Sequence, residues 1–142
     1  MQPPQHRLRL LARLARLREV EAHKAARHLA QTELTRQQLQ ALRQRSGDIA
    51  ALYQQRRDAQ TGADLRTQKA FISGLNRIAE ETAGQHASLL PFHRQAQQAL
   101  GEARAKHERV ADRLVQQQLQ ISDAQFAADA APAARLARKL KS

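Results

Sequence analysis

From Leu65 to Ile121 the chain steps by three and four residues, without a slip, along a single seam. Its positions are Leu65, Gln68, Ile72, Leu75, Ala79, Thr82, His86, Leu89, His93, Ala96, Leu100, Ala103, His107, Val110, Leu114, Gln117 and Ile121. Eleven of these seventeen are apolar, and a period of 3.5 residues marks a helix wound against another helix. An element so long and thin encloses no pocket. The expectation is therefore a protein that works by touching other macromolecules along its length.

Composition narrows the fold further. The chain has 142 residues, enough for one domain. Hydrophobic residues make up 42% but aromatics only 3%, and 28 of the residues are alanine. Alanine buries little area, so a globule of this sequence would be short of core. Strong helix formers dominate instead. The fold class read from the sequence is all-α, with two long helices forming an antiparallel coiled-coil hairpin.

The absence of cysteine removes disulfides, thiolate catalysis and Cys-based metal sites, and is compatible with a reducing compartment such as the cytoplasm. No apolar run approaches the roughly 20 residues needed to cross a bilayer. The start of the chain carries Arg7, Arg9, Arg13, Arg16 and Arg18 interleaved with Leu8, Leu10, Leu11, Leu14 and Leu17. That pattern suits a transit peptide or a membrane-surface helix as well as the first turns of a coiled coil.

Formal charge is +11, with the basic residues concentrated at the two termini: the five arginines above, and Arg135, Arg138, Lys139 and Lys141. A field of that sign favours acidic partners, whether protein, nucleic acid or anionic lipid. A bland alternative is a soluble helical protein that exposes arginine.

Along the chain, Pro3 and Pro4 mark residues 1–5 as a disordered start. Residues 6–130 read as the antiparallel coiled coil, with its turn at 61–64, and residues 131–142 as a basic tail. The first helix carries Leu10, Leu14, Leu17, Val20, Ala25, Leu29, Leu34, Leu39, Leu42, Ile49, Leu52 and Tyr53, with phase shifts that would change the winding locally. In the turn, Gly62 suits the left-handed conformation that closes a helix, and Asp64 suits the cap of the next. Folding there pairs positions whose numbers sum to about 125, so that Leu14 faces Val110, Leu29 faces Ala96, Leu42 faces Thr82 and Tyr53 faces Ile72. Both basic termini then share one end. Pro91 falls inside the ladder without changing its phase and reads as a kink in a continuous helix, while Pro132 ends the helix.

Three histidines, His86, His93 and His107, occupy seam positions. They could act as a pH-responsive element, or simply be polar positions that set register; His107 is placed to meet Glu21 or Glu19. A second apolar stripe, Phe71, Leu75, Ile78 and Thr82, lies on one face near the turn. It suits a docking surface or a widened core around Tyr53 and Leu52. There is no phosphate loop, metal-ligand spacing or nucleophile motif, so neither an enzyme nor a cofactor is expected. Nucleic-acid binding has charge in its favour but lacks stacking aromatics and a recognisable module.

The segment Leu14-Ala15-Arg16-Leu17-Arg18-Glu19-Val20-Glu21, with Ala25-Ala26-Arg27 after it, resembles the start of FliJ-type flagellar export proteins. Lys69-Ala70-Phe71-Ile72-Ser73-Gly74-Leu75 resembles that family's entry to its second helix. The resemblance spans nearly the whole chain, and the YscO family of injectisome-type secretion fits almost as well. It implies a coiled coil similar to the gamma stalk of rotary ATP synthases. The paired ends would engage a hexameric export ATPase, with Arg7, Arg9, Arg13, Arg16 and Arg18 as the contact residues. It further implies contact with the export gate protein FlhA through Phe71, Leu75, Ile78 and Thr82, recycling of export chaperones, and a cytoplasmic location peripheral to the inner face of the cell membrane. The family commonly has a histidine where this chain has Thr82, and a tryptophan before the stripe that is missing here. A basic nucleic-acid-binding arm and a structural coiled-coil oligomer are the alternatives.

Overall fold

A computed structural model describes residues 3–141. Two helices, α1 (Pro4–Gln54) and α2 (Gly62–Lys141), account for the elements among those residues, and they form an all-α hairpin. Contacts divide the chain into two compact units. The first is the described part of Met1–Ala25 with that of Leu100–Ser142, and the second is Ala26–Ala99. Within each, a stretch of α1 packs on a stretch of α2.

α1 begins at Pro4, earlier than expected, with the His6 and Arg7 N–H groups donating to the Pro3 carbonyl. Proline is well placed there, since the first helical N–H groups have no partner in any case. The expected disordered start thus gives way to helix from Pro4 onward; Met1 and Gln2 lie outside the described residues. α2 likewise runs through Pro132 to Lys141 instead of ending at the proline. The alanine-rich surroundings favour helix strongly enough to absorb one missing hydrogen bond. α2 is also continuous through Pro91.

The turn differs from its sequence reading in both of its caps. No glycine has positive φ, and Gly62 opens α2 instead of closing α1. Thr61 is the N-cap: its hydroxyl accepts the Asp64 N–H at 3.1 Å, and its carbonyl accepts the Leu65 N–H. Asp64 sits in the first turn, where its charge favours the positive end of the helix dipole. α1 closes with two tight bonds, from Gln55 N–H to Leu52 and from Arg56 N–H to Tyr53. The Gln68 amide then reaches across the turn to donate to the Tyr53 carbonyl, as its second donor after the Arg56 N–H, and to the Arg56 carbonyl in the turn itself.

Burial on α2 follows the ladder. Of its seventeen positions only Leu65, at the turn end, is exposed. α1 carries a matching ladder that its large apolar residues conceal. The half-buried and buried positions step through Leu8, Leu11, Ala15, Arg18, Ala22 and Ala25 in the first unit. In the second they step through Leu29, Thr32, Arg36, Leu39, Ser46, Ala50 and Tyr53, with only Arg43 exposed. The period never slips, so the expected phase shifts are absent. Leu10, Leu17, Val20, Leu34, Leu42 and Leu52 lie outside the seam and are exposed.

The most buried positions are short side chains: Ala50 and Ala96 at 2% exposure, Ser46 and Thr82 at 3%. Short residues let two helices approach closely, and each layer buries modest area. Thr32 and Thr82 avoid stranding a hydroxyl by donating to the Leu29 and Ile78 carbonyls of their own helices. In the first unit the most buried residues are Leu100 and Val110.

Candidate interaction surfaces

The stripe read as a docking surface is only partly accessible. Phe71 and Ile78 are exposed, Leu75 is half-buried, and Thr82 lies in the seam with its hydroxyl committed to Ile78. Phe71 packs against Tyr53 with ring centroids 4.6 Å apart at an interplanar angle of 57°. The Arg56 guanidinium lies 4.4 Å above the same Tyr53 ring, a cation–π contact on its other partner. The turn end of this unit therefore presents an aromatic pair beside Arg56, Asp58 and Asp64, a surround of mixed charge.

Phe92 belongs to the same surface and was missed in the sequence. It stands two heptads after Ile78, and so shares the helix face of Phe71 and Ile78. With 61% exposure it flanks a shallow groove over Gly84, Ser88 and Leu89 of α2 and Leu39 of α1. Its signal was the seven-residue recurrence of large apolar residues at 71, 78 and 92, interrupted by Gln85. A second, more polar groove near the turn is lined by Arg56, Lys69 and Arg77 together with Gln68 and Ile72.

Among the basic residues of the N-terminal segment, Arg7, Arg9, Arg13 and Arg16 are exposed. Arg18 differs. It is a half-buried seam residue, its guanidinium bonds Glu21 at 3.0 Å, and its buried Nε has no partner. Four arginines are thus open to an acidic partner, and the fifth is committed to packing.

The three seam histidines meet three different environments. His93 Nε2 lies 2.7 Å from Glu33 Oε2 across the hairpin. Arg36 donates to both Glu33 oxygens, at 2.7 and 3.0 Å, and Gln37 donates at 3.2 Å. The Arg36 hydrogen bonds, ahead of the smaller Gln37 and His93 contributions, hold the Glu33 carboxyl down at about 2. His86 has a buried Nε2 without a hydrogen-bond partner, and His107 is half-buried. The carboxylates considered for His107 are engaged elsewhere: Glu21 with Arg18, and Glu19 at 3.9 Å from His23.

Among the described residues no group of three or more His, Asp or Glu side chains could hold a metal ion, and no helix is long and apolar enough to cross a membrane. No family model, curated protein or solved structure matches the chain.

Proposed function

We propose that this protein is a non-enzymatic stalk of a type III export apparatus, flagellar or injectisome, acting in the cytoplasm at the inner face of the cell membrane. The observation that carries this reading is the exposure of Arg7, Arg9, Arg13 and Arg16 on a unit that packs the N-terminal segment with the C-terminal one. A cationic paired-helix end suits insertion into a hexameric ATPase ring wherever that ring presents acidic groups, and long-range attraction would then speed its entry. The exposed Phe71 and Ile78, joined by Phe92, suit docking on an export gate protein of the FlhA kind. The resemblance of Leu14–Glu21 and Lys69–Leu75 to FliJ-type proteins supports the same assignment, and from it come flagellum assembly, motility and the recycling of export chaperones.

The test is reconstitution with the export ATPase of the same cell. The stalk should co-purify with the hexamer and raise its turnover, and replacing the four exposed arginines by glutamate should abolish both effects without lowering the melting temperature. A Phe71→Ser, Ile78→Ser double variant should keep ATPase stimulation and lose gate binding. An ATPase indifferent to the pure protein would sink the stalk reading. Nucleic-acid binding that weakens steeply with salt would then favour the basic-arm alternative.

A further inference from the structure

A second heptad ladder runs along α2 on the side turned away from the hairpin. Its large members are Val115, Leu119, Phe126, Leu136 and Leu140, exposed at 53, 57, 76, 62 and 81%. Ser122, Asp129 and Ala133 occupy the remaining steps, so the spacing of four and three residues is unbroken from Val115 to Leu140. Leu119 lies two residues from both Gln117 and Ile121 of the hairpin seam. Two residues turn a helix by about 200°, which places this ladder on the opposite face. All of it belongs to one compact unit.

The hairpin seam gives out where this ladder continues. Ile121 is the last half-buried residue of α2, and every described residue from Ser122 to Lys141 is exposed. Along these roughly 30 Å of helix no described residue is buried or half-buried. An exposed helix interrupted by Pro132 draws little stability from burial. The period of 3.5 is what a coiled-coil partner requires.

We infer that this outer face is a coiled-coil docking site for an acidic amphipathic helix of another protein. Charge selects that occupant over the others. Arg138, Lys139 and Lys141 fill the last turn of α2, with Arg135 one turn earlier. A helix laid antiparallel would bring its acid-bearing N-terminal turn against them. A second copy of the chain fits poorly. Parallel pairing in register stacks Asp129 on Asp129 and sets the basic ends side by side, and each chain carries +11. An anionic membrane fits less well than a helix, because Asp129 interrupts the apolar face that would enter the lipid. This inference does not rest on the export-stalk reading, because neither the four exposed arginines nor the Phe71 face takes part in it.

The experiment uses the full chain and two designed four-heptad peptides, each with leucine at the seam and either glutamate or lysine at the flanking positions. Fluorescence anisotropy should show the glutamate peptide binding and the lysine peptide failing to bind. The Phe126→Ser, Leu136→Ser double variant should weaken the glutamate peptide by at least about tenfold while leaving the thermal melt of the hairpin unchanged. Asp129→Leu, which removes the charge from the ladder, should strengthen the same peptide and serves as a second variant that adds packing instead of removing it. The inference is overturned if the glutamate peptide does not bind, or binds the double variant equally well. It is also overturned if the wild-type chain sediments as a dimer that the double variant abolishes. Binding to phosphatidylcholine–phosphatidylglycerol vesicles through Phe126 and Leu136, without peptide binding, would assign the face to a membrane instead. ATPase stimulation is measured separately, so failure here leaves the stalk assignment standing on its own test.

Discussion

His93 and Glu33 meet at 2.7 Å across the hairpin, and the carboxylate is gripped from its own helix by both arms of Arg36. A bidentate guanidinium is the stronger of the two links, which is why the Glu33 carboxyl falls from its ordinary 4.5 to about 2. A carboxyl held low in the folded state lends stability that is fully present above its unfolded value and disappears on acidification. Thermal stability should therefore fall between about pH 4.5 and 2 as this contribution is lost. Glu33→Gln should melt lower than wild type at pH 7, and its melting temperature should be flatter across that acid window. An equally steep acid limb in Glu33→Gln would assign the loss to other carboxylates.

Ala50 and Leu42 exchange the roles their side chains suggest. Ala50 is 2% exposed and Leu42 is 46% exposed. Ala50→Leu forces extra methylenes into a filled layer and should destabilise by about 1–3 kcal/mol. Leu42→Ala removes surface already in water and should change stability by less than about 0.5 kcal/mol. Urea denaturation of both variants decides it, and a larger loss at Leu42 would contradict the α1 seam described above.

Gln68 joins the two sides of the turn by donating to the Tyr53 and Arg56 carbonyls. Gln68→Leu keeps the bulk of the side chain and loses the donor. It should cost about 1 kcal/mol and increase protease cleavage between Gln55 and Thr61.

Pro91 stands exposed inside an uninterrupted helix. Restoring a backbone N–H there should stabilise the hairpin, so Pro91→Ala should raise the urea midpoint and the unfolding free energy, the latter by at most the roughly 3 kcal/mol that a helical proline costs. A lower midpoint in this variant would mean that the proline ring contributes packing worth more than the missing bond.

The α2 half of the seam was legible from residue types, because Leu75, Leu89, Leu100, Val110, Leu114 and Ile121 mark its period. The α1 half was not. Its seam mixes Leu8, Leu11, Leu29 and Leu39 with Ala15, Ala22, Ala25, Thr32, Ser46 and Ala50, types that also cover helix surfaces, while Leu10, Leu17, Leu34, Leu42 and Leu52 point outward. The turn failed for a related reason. Gly62 is compatible with a left-handed cap, but Thr61 offers a hydroxyl three residues before an acid, and that N-cap prevailed. Of the interaction surfaces, the arginines and Phe71 were visible as types. Phe92 was hidden by the polar Gln85 between it and Ile78, and Arg18 and Thr82 were assigned to surfaces although the period that buries them was already in the sequence.

The most buried layers of this seam, Ala50, Ser46, Thr82 and Ala96, are short side chains that grip little by shape, so they do little to resist a slide of one heptad. What opposes the slide are two irregular studs, Glu33 with His93 and Tyr53 with Phe71; a one-heptad slide could offer Glu33 only His86 in place of His93, and offers Tyr53 no aromatic ring at all. They work as index pins on an otherwise smooth track. In the unit that holds them, they fix how far any residue of one helix lies from the turn relative to its neighbour on the other, which makes the hairpin a ruler as well as a support.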